Sequence, residues 1–438
     1  MTARPGVLIY PRGVTSTAER HAGPADERPR SRRTLLSVLR SSAGIAIAMA
    51  VMNVATYGFQ MISARLLGPS AYGAVASLMA LLMVVAVLQL GLQATGARRI
   101  AADPEHVAQI ERTVLRVTYR AALALGTLML LLSPVVAWVL RLDSVLPAVL
   151  LAVSAVPVTI MGGQAGVLQG ERRWLPLALV YLAMGVPRVV VGTLCILVSP
   201  TETAAMLGVA LAMFAPAVVG WLALRRGREA GPRHEDHRGV PVAREAIAAS
   251  TALLAFFTLS NIDIVVARNV LDDLDAGLYA AGLILTKAVL FLPQFVVVIA
   301  FPAMSTPTQR RLALLRSLGL VGLLGVISML GAWLLSSLAL VFVGGTEYAA
   351  VESRLWVFAL LGTLLALLQL LVYSVLAQRD SRTSLLVWAA VAALVAISAT
   401  TDHLNTLVTT VACVDGALFL VLLAISLHRL RAPVPVSD

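Results

Sequence analysis

Apolar residues run along this chain in blocks of about twenty, separated by short breaks of Arg, Gly, Pro and Asp. A helix needs about twenty such residues to cross a hydrocarbon core of about 30 Å. The blocks predict twelve spans, at 43–63, 71–95, 118–140, 145–168, 174–198 and 204–224, then at 246–268, 276–302, 313–343, 355–377, 383–400 and 405–427. The expected fold class is therefore all-α, a polytopic membrane protein with about twelve transmembrane helices. The stretch RRGREAGPRHEDHRGVPVAR, Arg225 to Arg244, is the one long polar interruption inside the chain. It divides the spans six and six. The expected layout is a disordered cytoplasmic tail over 1–42, a six-helix bundle over 43–224, a linker over 225–245, a second bundle over 246–428 and a tail over 429–438.

Composition agrees with the pattern. Of the 438 residues 59% are hydrophobic and 13% charged, with mean hydropathy +0.88, whereas soluble domains run at about 45–50% and about 25%. No large soluble domain is left to place. The net charge of +11 would fit a nucleic-acid partner, but the arginines lie in short loops without an aromatic-studded basic surface, so none is expected. The charge is topological instead. Of the 34 basic residues, 28 fall on one side and four, Arg65, Arg141, Arg268 and Arg354, on the other. The positive-inside rule then places both termini in the cytoplasm. Arg188 and Lys287, the chain's only lysine, fall inside spans 5 and 8. Cys195 and Cys413 sit in apolar runs, which indicates neither a disulfide framework nor a zinc site.

An internal repeat accompanies the six-plus-six division. ARLLGPSAYGAVASL, from Ala64, leaves span 1 and enters span 2; ARNVLDDLDAGLYAAGLIL, from Ala267, leaves span 7 and enters span 8. Each has Ala-Arg at the helix end, a short turn, then Gly and Tyr opening the next helix. Six spans per half make the repeat parallel, since both halves then enter from the same side.

At these residues the chain resembles the polysaccharide-export flippases of the multidrug/oligosaccharidyl-lipid/polysaccharide exporter superfamily. ARLLGPSAYG, NIDIVVARNVL with AGLYAAG, and LPQFVVVIAFPAMS from Leu292 to Ser305 carry the resemblance. It implies two six-helix bundles around a central cavity, which move lipid-linked oligosaccharide across the inner membrane by alternating access. The implied partners are that substrate, membrane lipid, a coupling cation (H+ or Na+) and polysaccharide-assembly proteins. No cofactor and no enzymatic activity are implied.

Ionisable groups inside membrane helices cost about 2.5–3.5 kcal/mol each on insertion scales, so they mark function by default. Asp263 lies in span 7, Lys287 in span 8, Arg188 in span 5 beside Pro187, and Asp415 in span 12. Lys287 and Arg188 suit a cationic cavity for a diphosphate, which would need fixed charge in place of water. Gln294 lies seven residues beyond Lys287 on the same helical face. Gln89 and Gln93 in span 2, and Gln369 and Tyr373 in span 10, repeat a polar stripe at i, i+4, suited to sugar hydroxyls. Asn53 and Asn261 precede the two Ala-Arg pairs, and Arg65 and Arg268 mark the outer mouth. Asp263 and Asp415 are candidates for coupling. Each residue also has a plainer reading. Asp263 and Lys287 would neutralise each other, Arg188 would satisfy carbonyls freed by a proline kink, the amides would bind helices together, and the mouth arginines would snorkel.

Other functions fit less well. DDLD, Asp272 to Asp275, evokes a prenyl-chain enzyme, but acidic residues at a helix start favour the dipole. The six histidines, His21, His106, His234, His237, His403 and His428, form no metalloprotease-type motif, and no metal site is expected. A polymerase or ligase would carry a sizeable outer loop. A multidrug antiporter of the same superfamily would typically carry an acidic residue in span 1, where this chain offers Asn53.

Overall fold

The computed structural model describes residues 42–225, 237–291, 310–376 and 381–429. Its first helix, α1, runs over Ser42–Val85 and breaks at Gly68, where φ is 69° and ψ 175°. An unbroken helix of 44 residues would reach about 66 Å, twice the hydrocarbon thickness. Glycine accepts that positive φ without a Cβ penalty. Pro69 follows, at a position where its missing N–H leaves no helix bond unmade. Gly-Pro therefore turns one apolar stretch into two passes.

The second pass continues through a joint at Ala86 into α2, Val87–Ala102. Then follow α3 (Val107–Val139), α4 (Leu146–Gly170), α5 (Trp174–Val198) and α6 (Glu202–Leu224). These form the first lobe. The second lobe holds α7 (Gly239–Val270), α8 (Asp273–Phe291), α9 (Arg310–Leu334), α10 (Ser336–Val343), a 3-10 segment over Thr346–Arg354, α11 (Leu355–Leu376), α12 (Ser381–Ser398) and α13 (Leu404–Arg429). Ten stretches among the described residues are long and apolar enough to cross a membrane. The first, Gly44–Ala102, crosses twice, and Ser384–Ser398 adds a shorter apolar helix, which accounts for the twelve expected passes. Two differences emerge. Expected span 9 is two helices jointed at Leu335, and α11 is preceded by a 3-10 segment where the sequence predicted a loop.

Small residues set the packing. A Cβ on Gly162 would lie 2.5 Å from the Gln89 carbonyl, on Gly166 2.6 Å from that of Gln93, and on Gly170 2.7 Å from Ile100. The glycine ridge of α4 thus lies against α2, the close approach that holds helices together where lipid is as apolar as the side chains. Gly185 and Gly192 of α5 likewise meet Met52 and Phe59 of α1.

The lobes meet along α1 with α8 and along α2 and α3 with α7. Gly73 and Gly277, the glycines of the two repeat copies, face each other there. A Cβ on Gly73 would lie 3.2 Å from the Gly277 Cα, and one on Gly277 only 2.0 Å from the Pro69 carbonyl. The duplicated motif is where the halves touch.

Candidate functional site

Two buried cations lie on either side of α1. Lys287, 8% exposed on α8, donates Nζ to the Ser260 carbonyl and, at 3.1 Å, to Asn261 Oδ1 on α7. Asn261 is fixed in turn, its Nδ2 donating to the Phe257 carbonyl at 2.8 Å and to Ser260 Oγ at 3.0 Å. Tyr57 of α1 donates its hydroxyl to the Lys287 carbonyl at 3.3 Å, and its ring lies 5.7 Å from that of Phe291. The lysine thus sits where the first lobe leans on the second.

Asp263 makes no direct ion pair with Lys287, although their charges interact. Its Oδ2 accepts from the Tyr279 hydroxyl at 3.0 Å and its Oδ1 from the Ile264 N–H at 2.9 Å. The lysine is held by neutral oxygens. Asp415 on α13 is buried, and its Oδ1 has no hydrogen-bond partner among the described residues. Asp263, Asp415 and Lys287 lie close enough for their charges to interact.

Arg188 occupies the first lobe. It is 5% exposed, its Nη2 contacts only the Met213 sulfur at 3.3 Å, and its Nε has no partner. It does not bond carbonyls near Pro187, as the kink reading required. It lies on α5 between Gly185 and Gly192, whose contacts are with residues 52–59 of α1. No described carboxylate pairs with it.

The other candidates divide. Gln93 donates to the Tyr181 hydroxyl at 2.8 Å and to Gln169 at 2.9 Å, and Gln89 reaches the Met161 sulfur at 3.9 Å. Both glutamines bind α2 to α4, and Gln93 also to α5, within the first lobe. Asn53 and Gln369 are half-buried on α1 and α11. Gln294 lies outside the described residues, as does the side chain of Tyr373.

The mouth arginines behave unequally. Arg65 is exposed and donates to the Val341 carbonyl. Arg268, expected to snorkel, is 4% exposed instead. It donates to the Leu140 carbonyl at 3.0 Å, to the Arg141 carbonyl at 3.2 Å and to Asp273 at 2.9 Å. The physical reason is the end of α3, where carbonyls lack helical partners and Arg141 takes φ 48° to close the last turn. Tyr348, donating to the Ala64 carbonyl at 2.8 Å, adds a further bond between lobes at this arginine-poor end.

At the arginine-rich end the lobes also join. Arg98 and Arg99 pair with Glu245, Arg99 at 2.8 Å. His237 Nε2 and His106 Nδ1 meet Asp103 Oδ2 at 2.8 and 2.9 Å. Hydrogen bonds from His237 and then His106 hold the Asp103 carboxyl well below the usual carboxylate range. Sequence reasoning missed this cluster because His237 and Glu245 lie more than 130 positions from His106, Asp103 and the arginines they meet. It missed Tyr57 too, although the i, i+4 spacing from Asn53 was a usable signal.

Two lobes of broken helices around paired repeats define the fold class of the multidrug/oligosaccharidyl-lipid/polysaccharide transporters. The chain matches an inward-facing multidrug resistance MATE family transporter of that superfamily with TM-score 0.71 and 14% identity, over 87% of this chain and 94% of that one. A eukaryotic MATE transporter gives 0.63 and 14%, over 90% and 96%. A superfamily transporter from Pyrococcus furiosus, described by its reversed pocket polarity, gives 0.62 and 14%, over 90% and 96%. No curated protein sequence matches. The family model for polysaccharide biosynthesis proteins matches residues 62–353, and the chain belongs to that family.

Proposed function

We propose that the protein is a flippase that carries a polyprenyl-diphosphate-linked oligosaccharide from the cytoplasmic to the outer leaflet for cell-surface polysaccharide synthesis. One observation carries this reading. Each lobe buries a cation, Arg188 and Lys287, and neither is in direct contact with a carboxylate among the described residues. Burying an ion costs several kcal/mol, and an unpaired one recovers little of it. A diphosphate supplies Arg188 with the counter-charge it lacks and gives Lys287, whose charge Asp263 and Asp415 offset without touching it, a directly bonded one; α1 between the two cations is the element that must shift to admit it. In this reading Asn53, Tyr57 and Gln369 offer the sugar groups that both donate and accept, as hydroxyls require.

In this reading the arginine-rich end and both termini face the cytoplasm, and the lipid tail stays in the bilayer. Asp263 and Asp415 serve H+ or Na+ coupling, and polysaccharide-assembly proteins take the product. A cation-coupled multidrug antiporter is the second reading; the lack of any carboxylate over residues 43–63 counts against it.

The test is deletion of the gene and analysis of lipid extracts. A lipid-linked oligosaccharide should accumulate on the cytoplasmic side, and the intact gene should clear it, whereas Lys287→Ala and Arg188→Ala should not. Unchanged glycolipids with new drug sensitivity would establish the antiporter.

A further inference from the structure

We infer that Asp103, His106 and His237 form a site for one divalent transition metal of the zinc type, which staples the two lobes together at the arginine-rich end. The donor atoms, one carboxylate oxygen and two ring nitrogens, all lie within 4.8 Å of one another. His237 Nε2 and His106 Nδ1 converge on the same oxygen, Asp103 Oδ2, at 2.8 and 2.9 Å. In a tetrahedral zinc site, with bonds of about 2.0–2.1 Å, ligand atoms stand about 3.3 Å apart, so small movements admit the ion. The rings are already tilted across each other, with centroids 5.8 Å apart.

The donor set selects the metal. Two imidazoles and one carboxylate fit zinc and its neighbours, whereas magnesium and calcium need an oxygen cage. A fourth position is left for water or substrate. The adjacent cation does not forbid binding: Arg99 Nη1 lies 3.4 Å from His237 Nδ1, which carries the ring proton once Nε2 holds the metal, so Nη1 must turn aside while the arginine's Nε keeps its bond to Glu245 at 2.8 Å. That carboxylate offsets its charge.

Placement gives the site its consequence. Asp103 and His106 belong to the α2–α3 turn of the first lobe, and His237 lies two residues before α7 opens the second. A bound ion ties these segments more firmly than hydrogen bonds do and resists their separation. The site acts as a metal-operated brake, and metal binding holds whether or not the cargo is a lipid-linked sugar.

The experiment uses full-length protein purified in detergent through a tag without histidine and stripped with chelator. Zinc chloride is titrated calorimetrically, and bound metal is measured after desalting. The expected result is one zinc per chain and a higher melting temperature with zinc than without. Since loss of even a supporting residue weakens such sites about 10- to 100-fold, Asp103→Asn, His106→Ala and His237→Ala should each weaken binding by at least about tenfold. His237→Cys keeps a zinc ligand and should retain binding even if His237→Ala fails to fold. Failure of the wild-type protein to retain zinc after desalting, or unchanged affinity in all the ligand variants, would overturn the assignment.

Discussion

Arg141 and Arg268 clasp each other's backbone across the lobe boundary. Arg268 donates to the Arg141 carbonyl at 3.2 Å, and Arg141 donates to the Asn269 carbonyl at 2.6 Å. Two like charges sit together because each guanidinium is spread over carbonyl oxygens and Asp273 stands beside them.

Removing this clasp should loosen the arginine-poor end. Arg268→Ala strands the Leu140 and Arg141 carbonyls, at a cost of about 1–3 kcal/mol. The expected outcome is a lower melting temperature and faster maleimide labelling of a cysteine introduced by Ala276→Cys. Unchanged labelling would show that the clasp does not hold this end shut.

The glycine contact makes a second prediction. Gly277→Val cannot be accommodated with the lobes as they stand, because its Cβ would lie 2.0 Å from a backbone oxygen. The same labelling should rise while the protein stays inserted. Gly58→Ala is the control, since nothing lies within 4 Å of its Cβ. It should be neutral or stabilising by up to about 1 kcal/mol.

Arg188 should separate stability from transport. Exchanging a buried, unpaired cation for an apolar side chain of similar length removes its desolvation cost. Arg188→Met is expected to raise the melting temperature by several degrees and to abolish export. A variant that transports normally would return Arg188 to the role of packing residue.

Gln93 tests the difference between cavity lining and helix packing. Gln93→Leu breaks its bonds to Tyr181 and Gln169, at about 0.5–2 kcal/mol for such interhelical bonds. Melting should fall slightly, and export per inserted molecule should be unchanged.

Twelve passes, two halves and the repeat were legible because lipid imposes a length and a polarity on every span. The Gly68 break was legible as Gly-Pro. Side-chain partnerships were not. The spacing of Gln89 and Gln93 shows that they share a helix face, but whether that face meets a cavity or α4 depends on Gly162 and Gly166, some 70 residues away. Arg268 looked like a snorkelling residue because its acceptors are the terminal carbonyls of α3, which no local pattern announces. The pairing of His106 with His237 through Asp103 needs the linker to bring the chain back.

Helix α7 has one further consequence. It is anchored to the first lobe near both ends, through Glu245 and through Arg268, about 34 Å apart along its axis. It is therefore bound to the first lobe over a length close to the thickness of the hydrocarbon core, so that freeing one anchorage leaves the other in place.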